Sequence, residues 1–243
     1  LAITILISCS EEVKVLDFPL TSSSTDAARI ASNELFFKNN DTPFRVFGYS
    51  DSFNAALEEA IGLDQNFYFA KAVYAYGTNN NNNFKYNERR AYIESAYENI
   101  NKVSEIEKAI IESIYFNIIE GNKIKAARVL NEVVEKYPSY YYLRVYNGLF
   151  QNTVMQNAKE SELNWKEALK INPGANIAKI QLAQLHYPTT PGFYRLEENE
   201  IDLVYATKMI KEIEETGKKF TKLVLLEGVL EKLNNKPVET TSP

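Results

Sequence analysis

Reactive side chains are scarce in this chain. Its 243 residues include one cysteine, one histidine and two methionines. A single cysteine allows no intramolecular disulfide, so the fold does not depend on one. With one imidazole, any histidine-based triad or metal cluster would have to be built around His186. Neither GxGxxG nor GxxxxGKS/T occurs, so no glycine-rich phosphate cradle is expected. A net charge of −5 argues against broad nucleic-acid binding, which calls for a basic face. Cys9 has apolar neighbours, whereas a reactive thiolate needs an electropositive site. Glu197, Glu198, Glu200 and Asp202 lack a glycine-centred calcium loop. They read better as a helix start, where negative charge meets the positive end of the dipole. These absences lead to an expectation of no catalytic residue, no metal and no cofactor, and so of a chain that is not an enzyme.

What is present is a pattern stated twice. Ala126, Leu130, Val133 and Pro138 are followed at the same internal spacing by Ser161, Trp165, Ala168 and Pro173, and the two prolines stand 35 residues apart. Gly148 lies in the apolar helix between them. Small residues at such positions let two helices approach closely, since interaxial distance depends on the side chains at the contact. Proline stops each helix because it lacks an N–H and clashes with the preceding turn. A helix, a turn and a second helix cannot bury their apolar faces alone, so such a unit must stack on its neighbours.

The period and the small, aromatic and proline positions resemble the tetratricopeptide repeat. The resemblance is fullest over residues 120–187 and extends over 26–234. It implies an all-α superhelix of about five helix pairs plus a terminal helix. Earlier pairs follow from Ala27, Ile30, Ala31 and Leu35 with Leu57 and Ala60, then Phe69, Ala72 and Val73 with Ala91, Ile93 and Ala96. Long loops are expected at 39–49 and 77–83, and an insertion at 188–199. Ser104 and Glu107 form a capping-box signature at the head of an isoleucine-rich helix. Ile177, Leu182, Ala183 and His186 open the fifth pair, with His186 where the family has a packing tyrosine. Residues 201–215 close that pair. Residues 219–233 form the last helix, and 235–243 a polar tail.

The N-terminus has a different character. Residues 1–8 are apolar and far too short to span a bilayer, which takes about 20 residues. Leu6-Ile7-Ser8-Cys9 resembles a bacterial lipobox, and the sequence turns polar immediately after the cysteine. The resemblance implies that residues 1–9 end a signal peptide cut short at its start. Lipid would be attached at Cys9, residues 10–25 would act as a polar tether, and the protein would sit in a bacterial cell envelope. The acidic pair Glu11-Glu12 is similar to the export signal of some surface-displayed lipoproteins.

In the tetratricopeptide family the first helix of each pair lines the concave face. Carried onto this chain, that stripe is Phe69, Tyr76, Lys108, Tyr115, Tyr142, Leu149, Asn152, Ile177, Gln184 and Tyr187. Seven of these are aromatic or apolar, with Lys108, Asn152 and Gln184 as polar company, so the stripe departs from the lysine, arginine and asparagine set that clamps a C-terminal carboxylate in this family. The resemblance therefore implies a protein or peptide partner bearing large apolar side chains. Two other readings stand beside it: a solute-binding lipoprotein that stacks sugars or nutrients on its aromatics, and the interaction region of a longer enzyme.

Overall fold

The computed structural model describes residues 20–33, 51–77, 86–186 and 195–216. Among these residues there are ten α-helices and no strand. They are α1 (Thr25–Ser32), α2 (Asp51–Leu63), α3 (Tyr68–Gly77), α4 (Tyr86–Glu98), α5 (Glu105–Ile118), α6 (Lys123–Lys136), α7 (Tyr141–Thr153), α8 (Ala158–Ile171), α9 (Asn176–Leu185) and α10 (Leu203–Glu214). Single 3₁₀ turns at Ile100–Lys102 and Glu198–Glu200 precede α5 and α10. The helices pack most densely as successive pairs, α1 on α2 through α9 on α10, and each pair then rests on the next. This is the arrangement of a helical repeat, in which each unit meets chiefly its neighbours.

The caps explain where the helices begin. Ser104 caps α5 by accepting from the Glu107 amide, and the Glu107 carboxylate accepts the Ser104 amide at 2.9 Å. Asn122 caps α6 and Asn157 caps α8, each through a side-chain oxygen that accepts the amide three residues on. Asp202 does the same for α10 through the Tyr205 amide. Each cap satisfies one donor that the helix leaves without an internal partner.

The turns within α5–α6 and α7–α8 are also alike. The amide of Asn122 reaches back to the Phe116 carbonyl at 2.7 Å, and that of Asn157 to the Gln151 carbonyl at 2.8 Å. Both closures require a residue of positive φ just before the cap, namely Gly121 at 65° and Gln156 at 61°. The caps, the turn residues and the closing bonds all recur at the 35-residue offset.

Trp165 has no exposed surface and closes the contact between α7 and α8. Its indole lies across Gly148, where a Cβ would come within 2.4 Å of the ring nitrogen. The indole N–H donates to the Val145 carbonyl at 3.2 Å, so the buried polar atom is satisfied. Glycine at 148 is therefore a steric requirement of the tryptophan.

Some expected boundaries move. The 201–215 helix starts at Leu203, because Asp202 serves as its cap. The helix before Ser104 ends at Glu98 and gives way to the 3₁₀ turn Ile100–Lys102. Within the expected insertion, Glu197 and Glu200 form a capping box around the 3₁₀ turn Glu198–Glu200, and Glu200 pairs with Lys159 of α8 at 2.5 Å. The loop at 39–49, residues 78–83 of the second loop, residues 188–194 and the helix at 219–233 lie outside the described residues.

Candidate interaction surface

The first helices of the pairs, α3, α5, α7 and α9, carry the residues expected to meet a partner. Burial divides that set. Phe69, Tyr142, Asn152, Ile177 and Gln184 are all buried, whereas Tyr76, Lys108, Tyr115 and Leu149 retain part of their surface. Cys9 and Tyr187 lie outside the described residues. The nine described positions therefore do not form one open stripe. Helix α9 shows why: all ten of its residues are buried between its neighbours, including Lys179 and Gln181. A helix enclosed on every side cannot keep one face for a ligand.

Two of the part-exposed residues, Tyr115 and Lys108, have different surroundings. Tyr115 stacks on Tyr97 of α4, with ring centroids 3.8 Å apart and planes within 7°, and Phe116 meets both rings edge-on. The Lys125 ammonium sits 3.6 Å from the centre of the Phe116 ring and 3.1 Å from Glu120. A cation over an aromatic face is held by the ring quadrupole, so this cluster ties α4, α5 and α6 together. Burial raises the Tyr97 hydroxyl above its ordinary pKa, Lys125 opposing.

Lys108 opens instead into a groove of about 260 Å³ between α5 and α6. Ala109, Val129 and Val133 form its apolar floor, and Glu105, Glu112, Glu132 and Lys136 its charged rim. One end is closed by Glu105, which accepts from Lys136 and from the Tyr137 hydroxyl at 2.7 Å. The Lys136 contact first, and Tyr137 second, hold the Glu105 carboxyl below the usual range. Glu112 behaves oppositely: burial pushes its carboxyl up, with Lys108 and Lys125 opposing.

Polar side chains missed in the sequence line the inner contacts. Ser113 of α5 donates to the Ile110 carbonyl at 2.7 Å, which leaves its oxygen to accept the Tyr146 hydroxyl of α7 at 3.2 Å. Burial first, and neighbouring Tyr76 second, push the Tyr146 hydroxyl far above its ordinary pKa. Asn147 donates to Asn131 of α6 at 2.9 Å and to Asn164 of α8 at 3.2 Å, linking three helices through amides. Ser113, Tyr146, Asn147 and Asn164 are buried, so these bonds serve helix packing. Among the described residues no three His, Cys, Asp or Glu gather as a metal site.

Residues 21–24, expected as the end of a tether and a helix start, are docked. The Thr21 amide donates to Glu107 at 2.8 Å, and Ser22 Oγ and the Ser23 amide both donate to Asp64 at 2.7 Å. Burial alone would raise the Asp64 carboxyl, but the bonds from Ser22, Asn66 and Ser23 together bring it below its ordinary pKa. Glu107 thus has two tasks, capping α5 and holding the segment before α1.

No family model, curated protein or solved structure matches the chain.

Proposed function

We propose that this chain is a tetratricopeptide-type scaffold that holds a protein or peptide partner, carried on a bacterial envelope membrane by lipid on Cys9. The observation that supports it is the recurrence of α5–α6 as α7–α8 at a 35-residue offset, down to cap side chains and turn conformations. Units repeated in this way stack into a continuous surface that can follow an extended or helical segment. Tyr76, Lys108, Tyr115 and Leu149 are the residues that meet the partner in this reading, because they lie on first helices and keep accessible surface. Binding energy in such contacts concentrates in a few residues, tyrosine among the favoured types.

A photocrosslinking residue placed at Lys108 or Leu149 in living cells should give one recurrent protein adduct. The same residue at exposed Ile124 or Val204, on second helices, should not. Equal yields at both sets, or none at either, would reject the surface. The anchor has its own test. Lipid chains contribute about 0.8 kcal/mol per buried CH₂, and one chain alone binds a membrane only marginally. Expressed behind a lipoprotein signal sequence, the wild type should incorporate a palmitate analogue and sediment with membranes, and Cys9→Ala should do neither. An unlabelled, non-sedimenting wild type would remove the anchor and leave the scaffold reading intact.

A further inference from the structure

Helix α9 ends at His186, and the start of α10 is fastened to that side chain. His186 Nδ1 accepts the backbone N–H of Asp202 at 3.2 Å, and the ring meets Tyr205 edge-on with centroids 5.3 Å apart. A ring nitrogen that accepts carries no proton, so the neutral imidazole holds its hydrogen on Nε2. Nε2 lies 3.2 Å from Glu162 Oε1 of α8, off the line of a well-formed hydrogen bond. Glu162 is shared with Lys166, whose ammonium is 5.3 Å from the centre of the Tyr205 ring. The histidine is 3% exposed.

Glu162 and Lys166 face His186 from α8, and Asp202 and Tyr205 from α10. In the segment leading to α10, Arg195, Glu197 and Glu198 are exposed, and Glu200 is engaged by Lys159. On α9 itself the other ionisable group is Lys179, which bridges to Glu212 of α10 at 2.8 Å, about two turns from His186.

We propose that His186 is a pH-sensitive latch whose protonation releases the N-terminal end of α10 from the α8–α9 pair. Protonation converts Nδ1 from acceptor to donor and sets it against the Asp202 N–H, so the bond that fixes the cap of α10 is lost. Glu162 favours the imidazolium, but Lys166 already shares its charge. Burial, the largest effect, holds the ring below its ordinary pKa, Glu162 opposing. A base held neutral in the fold contributes fully above its unfolded pKa of about 6.5, and that contribution is lost as pH falls below it. The Lys179–Glu212 bridge, about two turns from the ring, keeps the far end of α10 attached.

Hydrogen exchange of the Asp202 and Tyr205 amides, corrected for intrinsic rate, tests the latch. Between about pH 7.5 and pH 5 their protection should fall roughly tenfold, while amides near Glu212 change little. His186→Asn places an acceptor where Nδ1 stands and does not titrate, so its protection should be flat across the same range. Glu162→Gln removes a charge that favours the imidazolium only in the closed state, so the onset should stay in place and the fall in protection by pH 5 should exceed the wild type's. A wild type without the transition, or a folded His186→Asn variant that keeps it, overturns the latch. Should His186→Asn fail to fold, Glu162→Gln decides: a fall in protection no larger than the wild type's overturns the proposal, and a larger one supports it.

Discussion

The pairs α5–α6 and α7–α8 solve the same packing problem with different side chains. At the 35-residue offset both keep asparagine as the cap, at 122 and 157, and both place a small residue in the first helix, Ser113 and Gly148. They differ in the residue that fills the pair, Leu130 against Trp165, both buried. The larger plug sits in the pair whose first helix has no side chain at the matching position. Ser113 uses its hydroxyl to reach Tyr146, whereas Gly148 yields its space to the indole. In these two pairs the larger plug goes with the smaller facing residue, as expected where interiors are packed to near-crystalline density.

Removing the tryptophan has the largest expected effect. Trp165→Ala should cost about 3–5 kcal/mol in urea unfolding, the range for deleting a large aromatic from a core. A loss below about 1 kcal/mol would mean that α7 and α8 do not depend on this plug. A sharper version transplants one pair's solution into the other. Gly148→Ser alone should destabilise by about 1–3 kcal/mol through overpacking, because its Cβ meets the indole. Combined with Trp165→Leu, the serine should cost much less, giving a favourable coupling of about 0.5–3 kcal/mol in a double-mutant cycle. Additive costs would show that the two positions do not share one volume.

Smaller effects test the likeness between the pairs. Asn122→Ala and Asn157→Ala should each lose about 1 kcal/mol, and by similar amounts, since the two caps make the same bond. A difference of more than about twofold would mean that tertiary context outweighs the cap. The smallest effect is a gain. Gln156 holds φ at 61°, where Gly121 stands in the other pair. A left-handed conformation costs an L side chain about 1–2 kcal/mol, so Gln156→Gly should raise the unfolding free energy by roughly 1 kcal/mol. Unchanged or lowered stability in thermal melts would place the strain elsewhere.

Much of the architecture was legible in the chain because it rests on local periodicity. Apolar spacing marks helices, and the Ser104–Glu107 signature marks the start of α5. The offsets of Leu130, Trp165 and the prolines announce repetition. The paired asparagine caps could have been read at the same offset. The turn at Gln156 could not, because glycine advertises a left-handed residue and glutamine does not.

Tertiary structure decided which of those residues a partner could reach and what the isolated polar groups do. Phe69, Tyr142, Asn152, Ile177 and Gln184 sit on first helices, as the pattern expects, yet their neighbours enclose them. Periodicity fixes the direction of a side chain on its own helix, but burial depends on how many other helices surround it. Glu107 holds Thr21 across 86 positions, and Asp64 holds Ser22 across 42. His186 meets a backbone amide 16 residues further on. No local pattern encodes such pairs, because a hydrogen bond requires atoms about 3 Å apart, and only the folded chain brings these atoms that close.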